Sequence, residues 1–324
     1  MPTVNKPDFF IVGAPKSGTT ALYSYLGGHP DIGMSKHKEP HFFAPDILGH
    51  QRQSRTLAQY LSNFDRATGK SRIGEASTGY LVSRRAPQEI FDFNPSAQII
   101  VMLRNPIDVI HSLHSMRLCS GAEHITRFEL AVDSQEQRYW QLGPLRGEPV
   151  PSLSYREMTR FSEQIQRYFD AFGRERVHVI LFDDFAKAPG IAYEKVLSFL
   201  GLRSDGRRSF EIINGNRRMR SKAVQLRLQR LKQSKALGRF ERAFPTLWQE
   251  ARAIVGRLNF VYERRPAIEA GFRQRLEMEY APEFRNLERL LGRSLDHQSP
   301  PAQTVEALEG DARRFGWKNV QGAR

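Results

Sequence analysis

The feature that most constrains this chain is the stretch IVGAPKSGTTALYSYL at residues 11–26. Residues 9–12, FFIV, form an apolar run too short for a helix and unbroken by polar side chains, the mark of a strand buried on both faces. Gly13, Pro15 and Gly18 then impose a tight turn, and residues 19–26 take up a helical apolar pattern. Backbone N–H groups entering that helix at Gly18, Thr19 and Thr20 create a pocket of positive potential suited to a phosphate. Lys16 adds a full charge and the two threonines add hydroxyl donors. A turn that merely joined strand to helix would need neither.

Two further units repeat the pattern. Residues 99–103, IIVML, read as a buried strand, followed by Arg104, Asn105 and Pro106 and a helical pattern over 107–116; Pro106 suits a first helical turn. Residues 177–182 read as a third strand, with an amphipathic helix before it at 158–172 and another after it at 192–200. Strands alternating with helices predict a three-layer α/β/α fold around a parallel sheet. Segments 44–72 and 117–155 are irregular and read as insertions forming loops and lid helices. Residues 217–257 are basic and helical in character. A chain of 324 residues fits one domain over 1–298 with a C-terminal tail at 299–324.

Charge and cysteine content narrow the partners. A formal net charge of +14 favours an anionic ligand. Neither a helix-turn-helix signature nor a stacking platform accompanies that charge, so no nucleic acid is expected. The single cysteine, Cys119, cannot close an internal disulfide, which fits a cytoplasmic protein. The apolar run FFIVGA is shorter than a signal peptide or a spanning helix requires, so no stable membrane insertion is expected. Nothing in the sequence fixes an oligomeric state.

The spacing of the first loop resembles the nucleotide-binding P-loop, yet Thr19 follows Gly18 where that motif has lysine. A P-loop small-molecule kinase needs that lysine and an acidic Mg²⁺ ligand, for which only Asp183 or Asp184 offers itself. The arrangement PKSGTT instead closely resembles the 5′-phosphosulfate loop of sulfotransferases that use PAPS (3′-phosphoadenosine 5′-phosphosulfate). By that resemblance Pro15, Lys16, Ser17, Gly18, Thr19 and Thr20 hold the donor, and the fold is P-loop-NTPase-like. In IIVMLRNPIDVIHSLHSMRL, an arginine at the strand end followed eight residues later by a serine resembles the 3′-phosphate element of the same family. Arg104 and Ser112 are then its ligands, and 3′,5′-ADP the product. The stretch NGNRRMRSKA sits where that family brings a loop over the nucleotide, which nominates Arg217, Arg218 and Arg220. No metal is required.

Sulfuryl transfer needs a base for the acceptor proton and a cation for the departing phosphate. Lys16 suits the second role. For the first, the Glu-x-His-Phe-Phe pattern within SKHKEPHFFAPD, residues 35–46, is similar to the base segment of glycosaminoglycan sulfotransferases of the heparan sulfate type. The resemblance makes Glu39 the base and His41 its helper or alternative. The residues alone also allow an ion pair between Glu39 and Lys38 and a packed, hydrogen-bonded His41. An unperturbed glutamate at about 4.3 is a weak base, so the site must raise it or transfer the proton late. GEASTGYL, residues 74–81, also resembles the family and nominates Glu75, Ser77 and Tyr80 as acceptor contacts, with His114 from the second helix. Many glycosaminoglycan relatives carry lysine after that acid, where this chain has Ala76. The acceptor is expected to be a glycan, a glycolipid or a hydroxylated small metabolite.

Overall fold

Phe9, Phe10, Ile11 and Val12 have no solvent exposure, and each such burial stabilises the fold by about 1.5–3 kcal/mol. They belong to β1 (Phe9–Gly13), the centre of a five-stranded sheet with β2 (Ile32–Met34), β3 (Arg72–Ala76), β4 (Gln98–Leu103) and β5 (Val177–Leu181). All neighbours pair parallel in the order β2-β3-β1-β4-β5. The computed structural model describes residues 5–48, 56–135, 137, 154–211, 217–219, 260–262 and 265–295.

Alternation along β1 divides the core in two. Phe10 and Val12 pack with helices Ala86–Phe93, Pro106–Ser120, Phe161–Phe172 and Ala270–Leu291. Phe9 and Ile11 face the opposite way, onto α1 (Thr19–Gly27) and helix Pro189–Phe199. The expected three layers are therefore present. From β1 the chain leaves through α1 to β2 on one side, then crosses from β3 to β4 on the other. The strand order thus reverses around β1 and opens a crevice beyond its C-terminal end, the place where open α/β sheets bind ligands.

Local signals account for the second unit. Asn105 caps helix Pro106–Ser120 by accepting from the Ile107 N–H at 3.0 Å, Pro106 occupies the first turn, and left-handed Gly121 ends it. Elsewhere the structure departs from the sequence reading. β5 stops at Leu181, and Phe182 opens a short helix, Phe182–Lys187. Arg217 and Arg218 lie on a strand, β6 (Arg217–Met219), rather than on a basic helix. It pairs antiparallel with β7 (Phe260–Tyr262) and lies against helix Pro106–Ser120. Arg220 and the rest of the basic stretch fall outside the described residues, as does the tail. The described parts of the insertions form short helices, Pro45–Leu48, Leu57–Leu61 and Phe128–Asp133.

Candidate active site

The loop between β1 and α1 is shaped by two glycines. A Cβ on Gly13 would lie 2.5 Å from the Leu81 Cβ, and Gly18 holds φ at +87°, a conformation that costs other residues energy. Gly18 begins α1 with no side-chain cap; the Ala21 N–H donates back to Gly18 O at 3.0 Å, and the amides ahead of it point toward an outside acceptor. Ser17 and Thr19 are buried beneath the loop while Thr20 is partly exposed. Lys16 makes no ion pair among the described residues. Burial lowers its pKa first, and Arg265, Arg104 and Lys38 lower it further, with only the Cys119 thiol opposing.

Arg104 follows the end of β4 and stacks 4.6 Å over the Phe182 ring. That ring also fills the space a side chain at Gly18 would need, so it joins the two phosphate elements. Asp108 lies 3.6 Å from Arg104 and 3.8 Å from Arg273, too long for strong hydrogen bonds. The Nε of Arg104 and an Nη of Arg265 are buried without a protein acceptor. Burial, then the charge of Arg104, pulls Arg265 down to about 10 despite Asp108. Arg265 is absent from the sequence reading because it sits in a non-repeating basic stretch some 150 residues after the second phosphate element. Ser112 lies on helix Pro106–Ser120 with 5% of its surface exposed. Guanidiniums crowded this closely repel one another, and an anion with several oxygens would relieve them.

Glu39 and His41 lie beyond the neighbouring strand. The Glu39 N–H extends β3 by donating to Ala76 O at 2.9 Å, and the His41 N–H donates to Ser77 Oγ at 3.0 Å. The Glu39 carboxylate accepts from the Thr78 N–H at 2.8 Å, from His41 Nε2 at 2.9 Å and from Lys38 Nζ. Burial alone would raise its pKa, but the His41 hydrogen bond and the Lys38 charge overcome that and hold it at about 2. The carboxylate is therefore held ionised and hydrogen-bonded in place. Lys16, Glu39 and His41 are the non-glycine residues with positive φ among the described residues, at 63°, 63° and 51°. Such conformations cost about 1–3 kcal/mol each and cluster where function over-determines the backbone.

Residues 6–241 match the sulfotransferase domain family. The chain belongs to that family. A sulfotransferase from Alicyclobacillus acidocaldarius is 29% identical, with a TM-score of 0.64 over 90% of this chain and 97% of its own. Human heparan sulfate glucosamine 3-O-sulfotransferase 6 is 37% identical over 101 residues, 31% of this chain and 28% of that protein. Mouse carbohydrate sulfotransferase 15 is 30% identical over 147 residues, 33% of this chain and 26% of that one. The chain thus spans about a quarter of the curated relatives it matches.

Within this sulfotransferase domain the expected residues separate into two groups. Lys16, Ser17, Gly18, Thr19, Thr20, Arg104 and Ser112 gather around the C-terminal ends of β1 and β4, with Glu39 and His41 beyond β3. Glu75, Ser77 and Tyr80 have no exposed surface, so none of them can touch an acceptor directly. His114 is equally buried and bonds through Nε2 to Ile125 O at 2.9 Å, which makes it a pin for the loop after its helix. Of Arg217 and Arg218 only the backbone is described. A polar cavity of ≈ 510 Å³ opens beside Glu39, lined by His37, Lys38, Pro40, Gln59, Ser62 and Asn63. At the end of β5, where a kinase would need a free carboxylate for Mg²⁺, Asp184 is paired with Arg293 at 2.9 Å.

Proposed function

We propose that this chain transfers the sulfuryl group of PAPS to a hydroxyl or amine of an acceptor, with a carbohydrate as the favoured class. The observation that carries this reading is the cationic cluster of Lys16, Arg104 and Arg265, whose mutual repulsion and unfilled donors call for a polyanion. PAPS fits it, since it places charge at both the 5′ and 3′ ends of one nucleoside. When bound, PAPS supplies a sulfuryl group on a phosphate leaving group. The α1 amides and Lys16 hold the 5′ end and stabilise the charge that develops there. Arg104 and Arg265, with Ser112, hold the 3′-phosphate. Glu39 accepts the acceptor's proton as the new bond to sulfur forms, and His41 steadies the carboxylate through their 2.9 Å contact. The carbohydrate reading draws on the named substrates of the relatives and on the polar cavity beside Glu39.

Calorimetry and a transfer screen test the reading together. The expected result is tight binding of 3′,5′-ADP, no binding of Mg-ATP, and label transferred from PAPS within a panel of glycans, glycolipids and hydroxylated metabolites. Binding of Mg-ATP with none of 3′,5′-ADP would sink it.

A further inference from the structure

Among the described residues, Glu75 is a fully buried carboxyl that the proposed reaction leaves unused. It stands on β3 opposite Phe10 of β1, has no exposed surface, and neither carboxyl oxygen has a partner in hydrogen-bonding geometry. Tyr60 and Tyr80 lie beside it, and Phe43 packs on both rings, at 5.3 Å and 6.0 Å. A carboxyl in such a box is costly to keep unless something depends on it.

What depends on it can be traced outward. The His41 N–H donates to Ser77 Oγ at 3.0 Å and the Phe43 N–H donates to Tyr80 Oη at 3.3 Å. Each hydroxyl has thereby spent a lone pair and still carries a hydrogen that needs an acceptor. Glu75 is the buried carboxyl beside those hydroxyls, and the Tyr60 hydroxyl, itself without a hydrogen-bond partner, lies beside it as well. The three hydroxyls stand close enough to act on the carboxyl though outside strict hydrogen-bond geometry. Two amides of the turn that carries Glu39 and His41 in left-handed conformations thus rest on hydroxyls that converge on one carboxyl.

We propose that Glu75 is a positioning residue: its carboxyl collects the Ser77, Tyr80 and Tyr60 hydroxyls and through the first two locks the turn that presents Glu39 and His41. Its consequence for transfer rests on Glu39 being the base. The carboxyl works as the neutral acid, which can both accept and donate within the cluster. Burial pushes it up to about 8 against the Tyr80, Tyr60 and Ser77 hydroxyls, and the Glu39 charge adds to the rise. Tyr23 on α1 and Tyr168 on helix Phe161–Phe172 complete the titratable groups that feel it, and burial raises both, so they stay neutral beside it.

Amide hydrogen exchange on the full chain, with calorimetry against 3′,5′-ADP, tests this without an acceptor. In Glu75→Ala the protection of the His41 and Phe43 amides is expected to fall by roughly tenfold or more, the scale at which loosened positioning also erodes turnover. Affinity for 3′,5′-ADP should stay within about threefold, since the cradle lies on other side chains. Glu75→Gln should restore protection at pH 7. Above about pH 8 the wild type should lose protection at these two amides, as the acid ionises, while Glu75→Gln keeps it. Unchanged protection in Glu75→Ala, or a high-pH loss that persists in Glu75→Gln, would overturn the proposal. Should Glu75→Ala not fold, Ser77→Ala carries the same test, because it must expose His41 and add nothing further when combined with Glu75→Gln. An active Glu39→Gln would remove the base assignment and leave these readouts intact.

Discussion

The cationic cluster around Lys16 and the turn that carries Glu39 hold their charges in opposite ways. Around Lys16, Arg104 and Arg265 the protein leaves cations facing one another with donors unfilled. Around Glu39 it gathers donors onto the carboxylate, from Thr78, His41 and Lys38. The first arrangement is incomplete until an anion arrives; the second is complete beforehand. On the proposed function, binding energy at the cationic cluster orders the donor, while Glu39 waits as base in a geometry that needs no reorganisation.

That contrast can be broken experimentally. Glu39→Gln should lower turnover by about 10²–10⁴, the usual worth of general base catalysis, and leave calorimetric 3′,5′-ADP binding almost untouched. Lys16→Ala should lower turnover by about 10²–10³, as loss of one stabilising donor does, and weaken nucleotide binding too. Equal loss of 3′,5′-ADP affinity in both variants would erase the distinction between the two regions. Arg104→Ala and Arg265→Ala should act chiefly on 3′,5′-ADP affinity, by about 2–5 kcal/mol each, because a buried anion would lose its partner. An Arg265→Ala protein that binds normally would remove this residue from the cradle.

Smaller effects sharpen the picture. Gly13→Ala, with its new methyl 2.5 Å from Leu81, should lower thermal stability by about 1–3 kcal/mol of overpacking, visible as a drop in Tm. The carboxyl of Glu39 lies below its ordinary 4.5, so its contribution to stability is present above that pH and is lost as pH falls toward about 2. The stability gap between wild type and Glu39→Gln in urea should accordingly narrow from pH 5 to pH 3.

Much of this was legible in the residues. β1 and β4 announced themselves because strands buried on both faces leave unbroken apolar runs, and β5, VHVIL at the sheet edge, stayed legible despite His178. β2 and β3 did not: IGM is three residues long, and RIGEA carries a charged residue at each of two positions, one of them the buried Glu75. Lys16, Arg104 and Glu39 were nominated by local motifs, and the fold brings Lys16 and Arg104 to the C-terminal ends of β1 and β4. Arg265 escaped because no local motif surrounds it and only the fold brings it beside Arg104. Glu75, Ser77 and Tyr80 were drawn to the right neighbourhood and assigned the wrong contact. Proximity along the chain to a strand end says nothing about which side of the sheet a side chain takes, or whether aromatic rings will cover it. The basic stretch at 217–219 was read as helical from charge alone, where pairing with Phe260–Tyr262 made it a strand.

The Leu81 side chain occupies the space that a Cβ on Gly13 would need, which ties the two regions together. Leu81 belongs to the short helix that follows Thr78, the residue whose N–H holds Glu39. The entrance of the donor loop and the support of the base turn are therefore fitted to one another as a pair. During divergence, a side chain gained at position 13 demands a smaller one at position 81. Among relatives of this chain these two positions should drift together, even where everything around the acceptor has changed.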